Sequence, residues 1–475
     1  MYAYGLFPFL PDLALLAVAV IVLLADLAGE EGGAAWHLAW IGLAGVAFLA
    51  FWQASSGDGG LGAFAGYLAS PGRGAWKLLF ALASLGTVLV ARPYLLPGGN
   101  ARGTLGRPGA FLGLIILCTQ GMFALASASD LLTFYLGLEL ATLPVFALAA
   151  FQPRDSASAE AGSKFVLMGG FSSALTLFGI SFLYGVSGSL GFEALAHAAT
   201  SAPMAPLLWG GLVFLAGGLG FKLAMAPLHM WAPDVYQGAP TPVAAFLSTA
   251  SKAAAVAAAA FLFLGPLDAI RPGMAPFFMA AAVLSMAAGN LGAMRQTDLR
   301  RFIAYSSIAQ VGYMLTAFVG DGDAARTALQ YNLLVYGATS FSLFFIMGII
   351  GREGPEDMAA LRGLSRRHPG LAALLVLSMF SLAGIPPLAG FLGKFLLFSA
   401  AAQEGHYVLI GIAVANAVVS FYYYMMLVRQ AYLVEPVAAP ALALGPLRTL
   451  VLWLLAAALI VLGVCPAAWN WFATR

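Results

Sequence analysis

The sequence predicts an all-helical integral membrane protein of about fourteen transmembrane helices, on three observations. Of 475 residues, 61% are hydrophobic and only 9% are charged, against roughly one-quarter charged in a soluble domain. The apolar residues fall in continuous runs of roughly twenty, the length a helix needs to cross the hydrocarbon core. The runs are unbroken rather than alternating, which excludes a closed barrel and leaves helices, whose backbone N–H groups are satisfied within the segment.

In chain order the runs cover about 10–28, 34–54, 76–97, 109–128, 130–151, 164–187, 207–230, 240–264, 275–294, 302–320, 328–350, 371–400, 406–433 and 447–471. The first is a spanning helix rather than a cleavable leader, because no Lys or Arg precedes Arg73. Fourteen of the 22 basic residues lie in or beside the odd-numbered loops, among them Arg102, Arg154, Lys164, Arg300, Arg352 and Arg367. Five lie in or beside the even-numbered loops or at the C-terminus: Arg73, Lys77, Arg271, Arg326 and Arg475. Basic loops stay cytoplasmic, so both termini are expected to face outward.

Several function classes are excluded. A net charge of +2 gives no reason to expect nucleic acid. Cys118 and Cys465 are far apart in apolar runs, and no Cys/His cluster offers a zinc or iron–sulfur ligand set. The Gly57–Gly66 and Gly98–Gly106 stretches lack the Gly-Lys-Ser/Thr of a phosphate loop and read as loops. No redox centre or nucleotide site is expected in this chain. Gly109 and Gly113 form a small-xxx-small pair, a weak signal among 55 glycines.

Three basic residues remain, Lys222, Lys252 and Lys394, and all lie within spans. Glu139, in LLTFYLGLELATLP, is the one acid clearly inside a span. Each charge at the bilayer centre costs about 2.5–3.5 kcal/mol on insertion scales. A lysine near a helix end can snorkel to the interface, which suits Lys164 at the start of its span. Lys222, Lys252 and Lys394 lie further in. A structural Lys–Glu pair would account for Glu139 and one lysine and leave two unexplained. The alternative is a proton path. Burial lowers a lysine's proton affinity and a nearby carboxylate restores it, so a lysine between those influences can gain or lose a proton as its partner moves.

Prolines mark the same spans. Pro227 follows Lys222 in GLGFKLAMAPLHMW, Pro386 and Pro387 precede Lys394, and Pro144 follows Glu139. Each is expected to kink or break its helix, either as a packing kink or as the broken span that marks ion sites in transporters. His229 lies seven residues after Lys222 and shares its face if the helix continues; it is an interfacial histidine or a relay group between Lys222 and Lys252. The Arg-rich DLRRFIAYSSIAQ reads as a cytoplasmic anchor.

The stretches DLLTFYLGLELATLPVFALAAF, FKLAMAPLHMWAPDVYQGAPTPVAAFLSTASKAA, LRRFIAYSSIAQVGYM and LAGIPPLAGFLGKFLLFSAA, from about Asp130 to Ser399, resemble the antiporter-like membrane subunits of proton-pumping NADH–quinone oxidoreductase, respiratory complex I. The resemblance implies fourteen helices with two inverted five-helix repeats, over about 109–264 and 275–433, between a 1–108 N-terminal part and a 434–475 C-terminal helix. It implies broken helices seven and twelve. It also implies that Glu139 pairs with Lys222, and that a hydrated axis continues past His229 and Lys252 to Lys394. Lys164 matches a further lysine of one branch of the family, the branch with lysine where another typically has glutamate in span twelve. The implied partners are the other membrane subunits, an M-type antiporter-like subunit and small K-, J- and A-type subunits, together with lipid. NADH, FMN, iron–sulfur clusters and quinone are expected in other subunits, and the implied location is the bacterial inner membrane with both termini periplasmic.

Three functions are compatible with these residues: a proton-translocating subunit of a redox-driven complex, a subunit of a multi-subunit cation/proton antiporter, and an assembly scaffold whose lysines bind neighbouring helices or lipid.

Overall fold

A computed structural model describes residues 7–28, 33–56, 62–64, 66–95, 105–201, 204–351, 356–435, 444–465, 467 and 471. Its helices are α1 (Leu10–Leu27), α2 (Gly33–Ser55), α3 (Pro71–Leu95), α4 (Pro108–Ser127), α5 (Leu131–Ala149), α6 (Ser156–Ser187), α7 (Phe192–Ser201), α8 (Pro206–Leu223), α9 (Trp231–Gly238) and α10 (Thr241–Phe246). They continue with α11 (Lys252–Phe263), α12 (Arg271–Ala293), α13 (Leu299–Leu315), α14 (Gly322–Ile350), α15 (Leu364–Arg367), α16 (Pro369–Ala383), α17 (Ala389–Gln403), α18 (Tyr407–Leu433) and α19 (Pro446–Val464). A π-helical segment, Leu247–Ser251, joins α10 to α11. Twelve described helices, the α10–α11 run counted as one, are long and apolar enough to cross a membrane, and α16, α17 and the last helix are shorter apolar helices.

Local chemistry starts several of these helices. Asp130, Asp155, Asp298 and Asp321 are N-caps whose carboxylates accept from backbone N–H groups in the first turns of α5, α6, α13 and α14. They satisfy donors that a helix start leaves open. Outward positions are apolar, including Leu24, Leu167, Phe171, Val418 and Trp453, as a surface dissolved in lipid requires.

The chain divides into two compact units, the first running from α1 to the start of α12 and the second from Phe278 onward. In the first, α4 packs on α5, α6 on α8, and α3 on α10, the π segment and α11. The α4–α5 approach depends on glycine: a Cβ at Gly121 would strike the backbone at Leu140–Ala141, and one at Gly137 the backbone of Leu125. In the second, α14 packs against α16, α17 and α19, and α16 against α18.

The structure breaks spans seven and twelve, as expected, and corrects the sequence reading at several other points. Span seven is not helical to residue 230: α8 ends at Leu223, and Ala224 takes a left-handed conformation at φ 56°, unfavourable for a residue with a Cβ. Span twelve is two helices, α16 and α17, separated at Gly384–Leu388. Pro144 breaks nothing, since α5 continues through it to Ala149. Part of the Gly57–Gly66 stretch is a strand rather than a loop: β1 (Gly62–Phe64) pairs antiparallel with β2 (Tyr67–Ala69). Residues 57–61, 65 and 98–104, with Arg102, Arg352 and Arg475, lie outside the described residues. Lys77, assigned to the flank of span three, is fully buried within α3, and Asp12 is a second buried acid. The second half of DLRRFIAYSSIAQ is core: Ser306, Ser307 and Gln310 are buried in α13. Arg300 of that stretch is itself buried, 3.6 Å from the Glu356 carboxylate.

Candidate functional site

Helices α5, α6 and α8 build the first site. Lys222, in the last turn of α8, reaches across to α5, with Nζ 3.1 Å from Oε1 of Glu139 and 3.0 Å from Oγ1 of Thr142. Lys222 is 7% and Glu139 8% exposed, so neither charge is left to water. The Ser173 hydroxyl, from α6, lies 2.8 and 2.9 Å from the two carboxylate oxygens and donates to that carboxylate. Glu139 is thus held by an ammonium and a hydroxyl from two different helices. Thr142 in turn donates to the carbonyl of Leu138 at 2.9 Å. A hydrogen bond to a charged group contributes about 1.5–3 kcal/mol. Ser173→Ala is therefore expected to bring forward thermal inactivation of the protein in its membrane, with Ser173→Thr restoring it; equal inactivation of wild type and Ser173→Ala would remove Ser173 from the site.

The break after Lys222 is closed by aromatic packing. The Trp231 indole N–H donates to the Phe221 carbonyl at 2.9 Å, satisfying an acceptor at the end of α8. Trp231 stacks on Phe165 with centroids 4.6 Å apart, and Phe165 meets Phe146 edge-on at 4.7 Å. These rings enclose a cavity of about 10 Å³, near the room that one water needs. Lys222 and Thr142 form one wall, and Ser251, Ala254 and Ala255 another. Lys252 is 2% exposed and opens α11 directly after the π segment. A π turn widens the helix by one residue and is frequent at functional sites.

His229 falls in the non-helical turn between α8 and α9 and is half-buried. Because α8 stops at Leu223, the two-turn spacing from Lys222 does not put them on one helical face. Lys164 stands apart from the Glu139–Lys222 pair. Its ammonium is 2.6 Å from Glu160 and 3.1 Å from Asp234, with the side chain 44% exposed.

The second unit holds Lys394 differently. Its ammonium donates to the carbonyls of Leu382 at 2.7 Å and Ala383 at 3.3 Å, the last residues of α16. A helix C-terminus leaves its final carbonyls unsatisfied and carries partial negative charge, so the break in span twelve itself supplies the counter-charge. The Tyr313 ring lies 4.4 Å from the ammonium, a cation–π contact. The Leu382 carbonyl also accepts from Gln310 Nε2 at 3.3 Å, Gln310 lies 3.3 Å from the Tyr424 hydroxyl, and Tyr424 is 2.6 Å from Ser306. Beside it, Tyr423 donates to Asn290 Oδ1 at 2.9 Å. Sequence reasoning missed Ser173, Thr142, Tyr313, Gln310 and Tyr424. The available signal was polar residues inside predicted spans, which was read only for full charges.

A buried carboxylate–ammonium pair at an interrupted membrane helix is the arrangement of helical membrane proteins that move ions. Residues 128–420 match the family described as NADH:quinone oxidoreductase/Mrp antiporter, transmembrane. NADH-quinone oxidoreductase subunit N of Moorella thermoacetica is 39% identical over 425 residues, covering 89% of this chain and 86% of the relative. Subunit N of Halorhodospira halophila is 37% identical over 96% of this chain and 95% of its own length. A chain of respiratory complex I from Thermus thermophilus, solved with bound aureothin, superposes with a TM-score of 0.81 at 33% identity, covering 96% of this chain and 97% of that one. A chain of the Mrp complex from a Dietzia species has a TM-score of 0.82 at 19% identity and shares the fold. The chain belongs to the NADH:quinone oxidoreductase/Mrp antiporter transmembrane family.

Proposed function

We propose that this chain is the N-type, proton-translocating membrane subunit of an NADH–quinone oxidoreductase. The buried Glu139–Lys222 pair at the end of α8 is the observation that carries this reading. A proton taken from the cytoplasmic side reaches Lys222 and Lys252, with His229 beside the break, passes later to Lys394, and leaves on the outer side. Movement of Glu139 away from Lys222 lowers the lysine's hold on its proton and sends it on. Lys164, paired with Glu160 and Asp234, acts at the rim of this path rather than within it.

Electron transfer takes place in other subunits, which hold NADH, FMN, the iron–sulfur clusters and quinone. The neighbours are the M-type antiporter-like subunit and the small K-, J- and A-type subunits, in a bacterial inner membrane with both termini periplasmic. Segments 109–264 and 275–433 form the two inverted repeats. Among superposed structures, identity of 33% to a chain of respiratory complex I against 19% to the Mrp chain favours the redox-driven complex over a cation/proton antiporter.

The test is Glu139→Gln in the assembled complex in inverted vesicles. The amide keeps the shape and loses the charge. Fewer protons moved per NADH oxidised, with assembly retained and no sodium-driven exchange in the absence of NADH, is the expected result. An unchanged proton ratio would overturn the role of Glu139. Sodium-driven exchange without NADH would move the chain to the antiporter class.

A further inference from the structure

The first three helices hold a buried ion pair that the path above does not use. Lys77 Nζ, on α3, lies 2.6 Å from Asp12 Oδ2, on α1, and the lysine side chain is 0% exposed. The second oxygen of Asp12 is buried and accepts no hydrogen bond among the described residues. An ion pair serving only to tie helices would gain from filling that acceptor, because a buried unpaired polar atom costs about 1–3 kcal/mol.

The pair has polar neighbours on both sides. Trp76 meets Phe261 of α11 with centroids 5.5 Å apart, which fixes the level of Lys77 against α11. Lys252 lies nine residues before Phe261, about 13 Å further into the unit at 1.5 Å per residue. Ser84, two turns along α3 from Lys77 on the same face, lies about 12 Å from the Trp76 level, on a helix that packs against both the π segment and α11, which Lys252 begins. Its hydroxyl is 2.6 Å from that of Thr119 on α4, both fully buried. Thr119 is one turn from Phe123, whose ring lies 5.8 Å from the Lys77 ammonium.

In the other direction, Tyr67 of β2 and Asp130 at the start of α5 are only part-buried. The Tyr67 backbone bridges to Ala128, two residues before Asp130, and burial first, then the charges of Asp12 and Asp130, raise the Tyr67 phenol above its ordinary range. A glycine is required where the hairpin passes Asp130: Gly66 has φ 84°, and a Cβ there would strike the Asp130 carboxylate. Burial thus falls in steps, from Lys77 to Asp12 to Tyr67 and Asp130.

We propose that Asp12 and Lys77 form a proton-transfer station between Lys252 and the hairpin end of the first unit. The Lys77 ammonium gives its proton to the Asp12 carboxylate, leaving a neutral amine and a carboxylic acid. Asp12 then releases that proton past Tyr67 and Asp130. A proton arriving from the Lys252 level by way of Ser84 and Thr119 recharges the amine, so charge and protons balance over the cycle. The proposal rests on the proton-translocating reading of the chain.

The decisive variant is Lys77→Arg in the complete complex. A guanidinium keeps the charge and the pairing but does not release its proton. The expected result is an assembled complex that oxidises NADH but moves fewer protons per NADH. The double variant Asp12→Leu, Lys77→Met removes both charges, which a structural pair tolerates, and it is expected to assemble with the same pumping loss. Wild-type pumping in either variant would overturn the proposal, as would failure of both to assemble, which would make the pair a structural tie. Glu139→Gln on parallel membranes separates the two levels. If it alone loses pumping, only the station fails; if no variant loses pumping, the translocating reading fails as well.

Discussion

Lys222→Ala is expected to abolish most proton pumping through this subunit and to weaken the protein measurably. The side chain neutralises Glu139 at 3.1 Å in a site where the carboxylate is 8% exposed. Removing one member of a buried pair leaves an uncompensated charge and costs about 3–5 kcal/mol. The Ser173 hydroxyl, the other group holding the carboxylate, is neutral. The carboxylate is left with no ammonium to exchange a proton with, so the transfer step is lost together with the stability. Two companions separate stability from transport. Lys222→Arg keeps a cation beside Glu139, so it restores stability while leaving pumping low, because the guanidinium holds its proton. Glu139→Gln combined with Lys222→Met removes both charges, so it regains stability without pumping. The measurements are thermal inactivation of NADH oxidation and protons moved per NADH in the same vesicles. Normal pumping by an assembled Lys222→Ala complex would make the pair structural.

Lys394→Ala is expected to lose pumping to a similar degree with a smaller loss of stability. The reason lies in what is left behind. Lys394 is bound by two carbonyls and a tyrosine ring, and among the described residues no carboxylate lies within ion-pair distance of it. Its removal exposes neutral acceptors at the end of α16, a cost of about 1–3 kcal/mol, rather than a bare charge. Lys394→Met should fill the space and recover part of the stability, with pumping still absent. Thermal inactivation should rank wild type above Lys394→Ala and Lys394→Ala above Lys222→Ala. The reverse order would mean that the helix-terminus carbonyls hold α16 to α17 more strongly than the carboxylate holds α5 to α8.

Much of this architecture was legible in the residues. The runs of apolar residues mark the helices, because the length that crosses a bilayer is a local property of the chain. The breaks beside Pro227 and Pro386–Pro387 were also legible, since proline removes a donor and clashes with the preceding turn. Pro144 shows the limit of that rule, because α5 runs through it unbroken. Lys77 shows another. The apolar pattern starts that helix at about residue 76 and leaves Lys77 on its flank, whereas α3 begins at Pro71 and carries it into the core. The shared face of His229 and Lys222 holds only if the helix continues, and α8 ends at Leu223.

What the sequence determined by itself is that this chain dissolves in lipid, that it is helical, and that Glu139, Lys222, Lys252 and Lys394 lie at depths where charge is costly. What only the tertiary structure decided is the partner of each charge. Lys222 meets a carboxylate 83 positions away in the chain, Lys394 meets the carbonyls that its own broken span leaves open, and Lys77 meets Asp12 across 65 positions. Hydrophobic length and proline chemistry act within a turn or two and can be read along the chain. A partner depends on the rotation and approach of whole helices, which the packing of glycines such as Gly121 and Gly137 and of rings such as Phe165 and Trp231 fixes only once the helices have assembled.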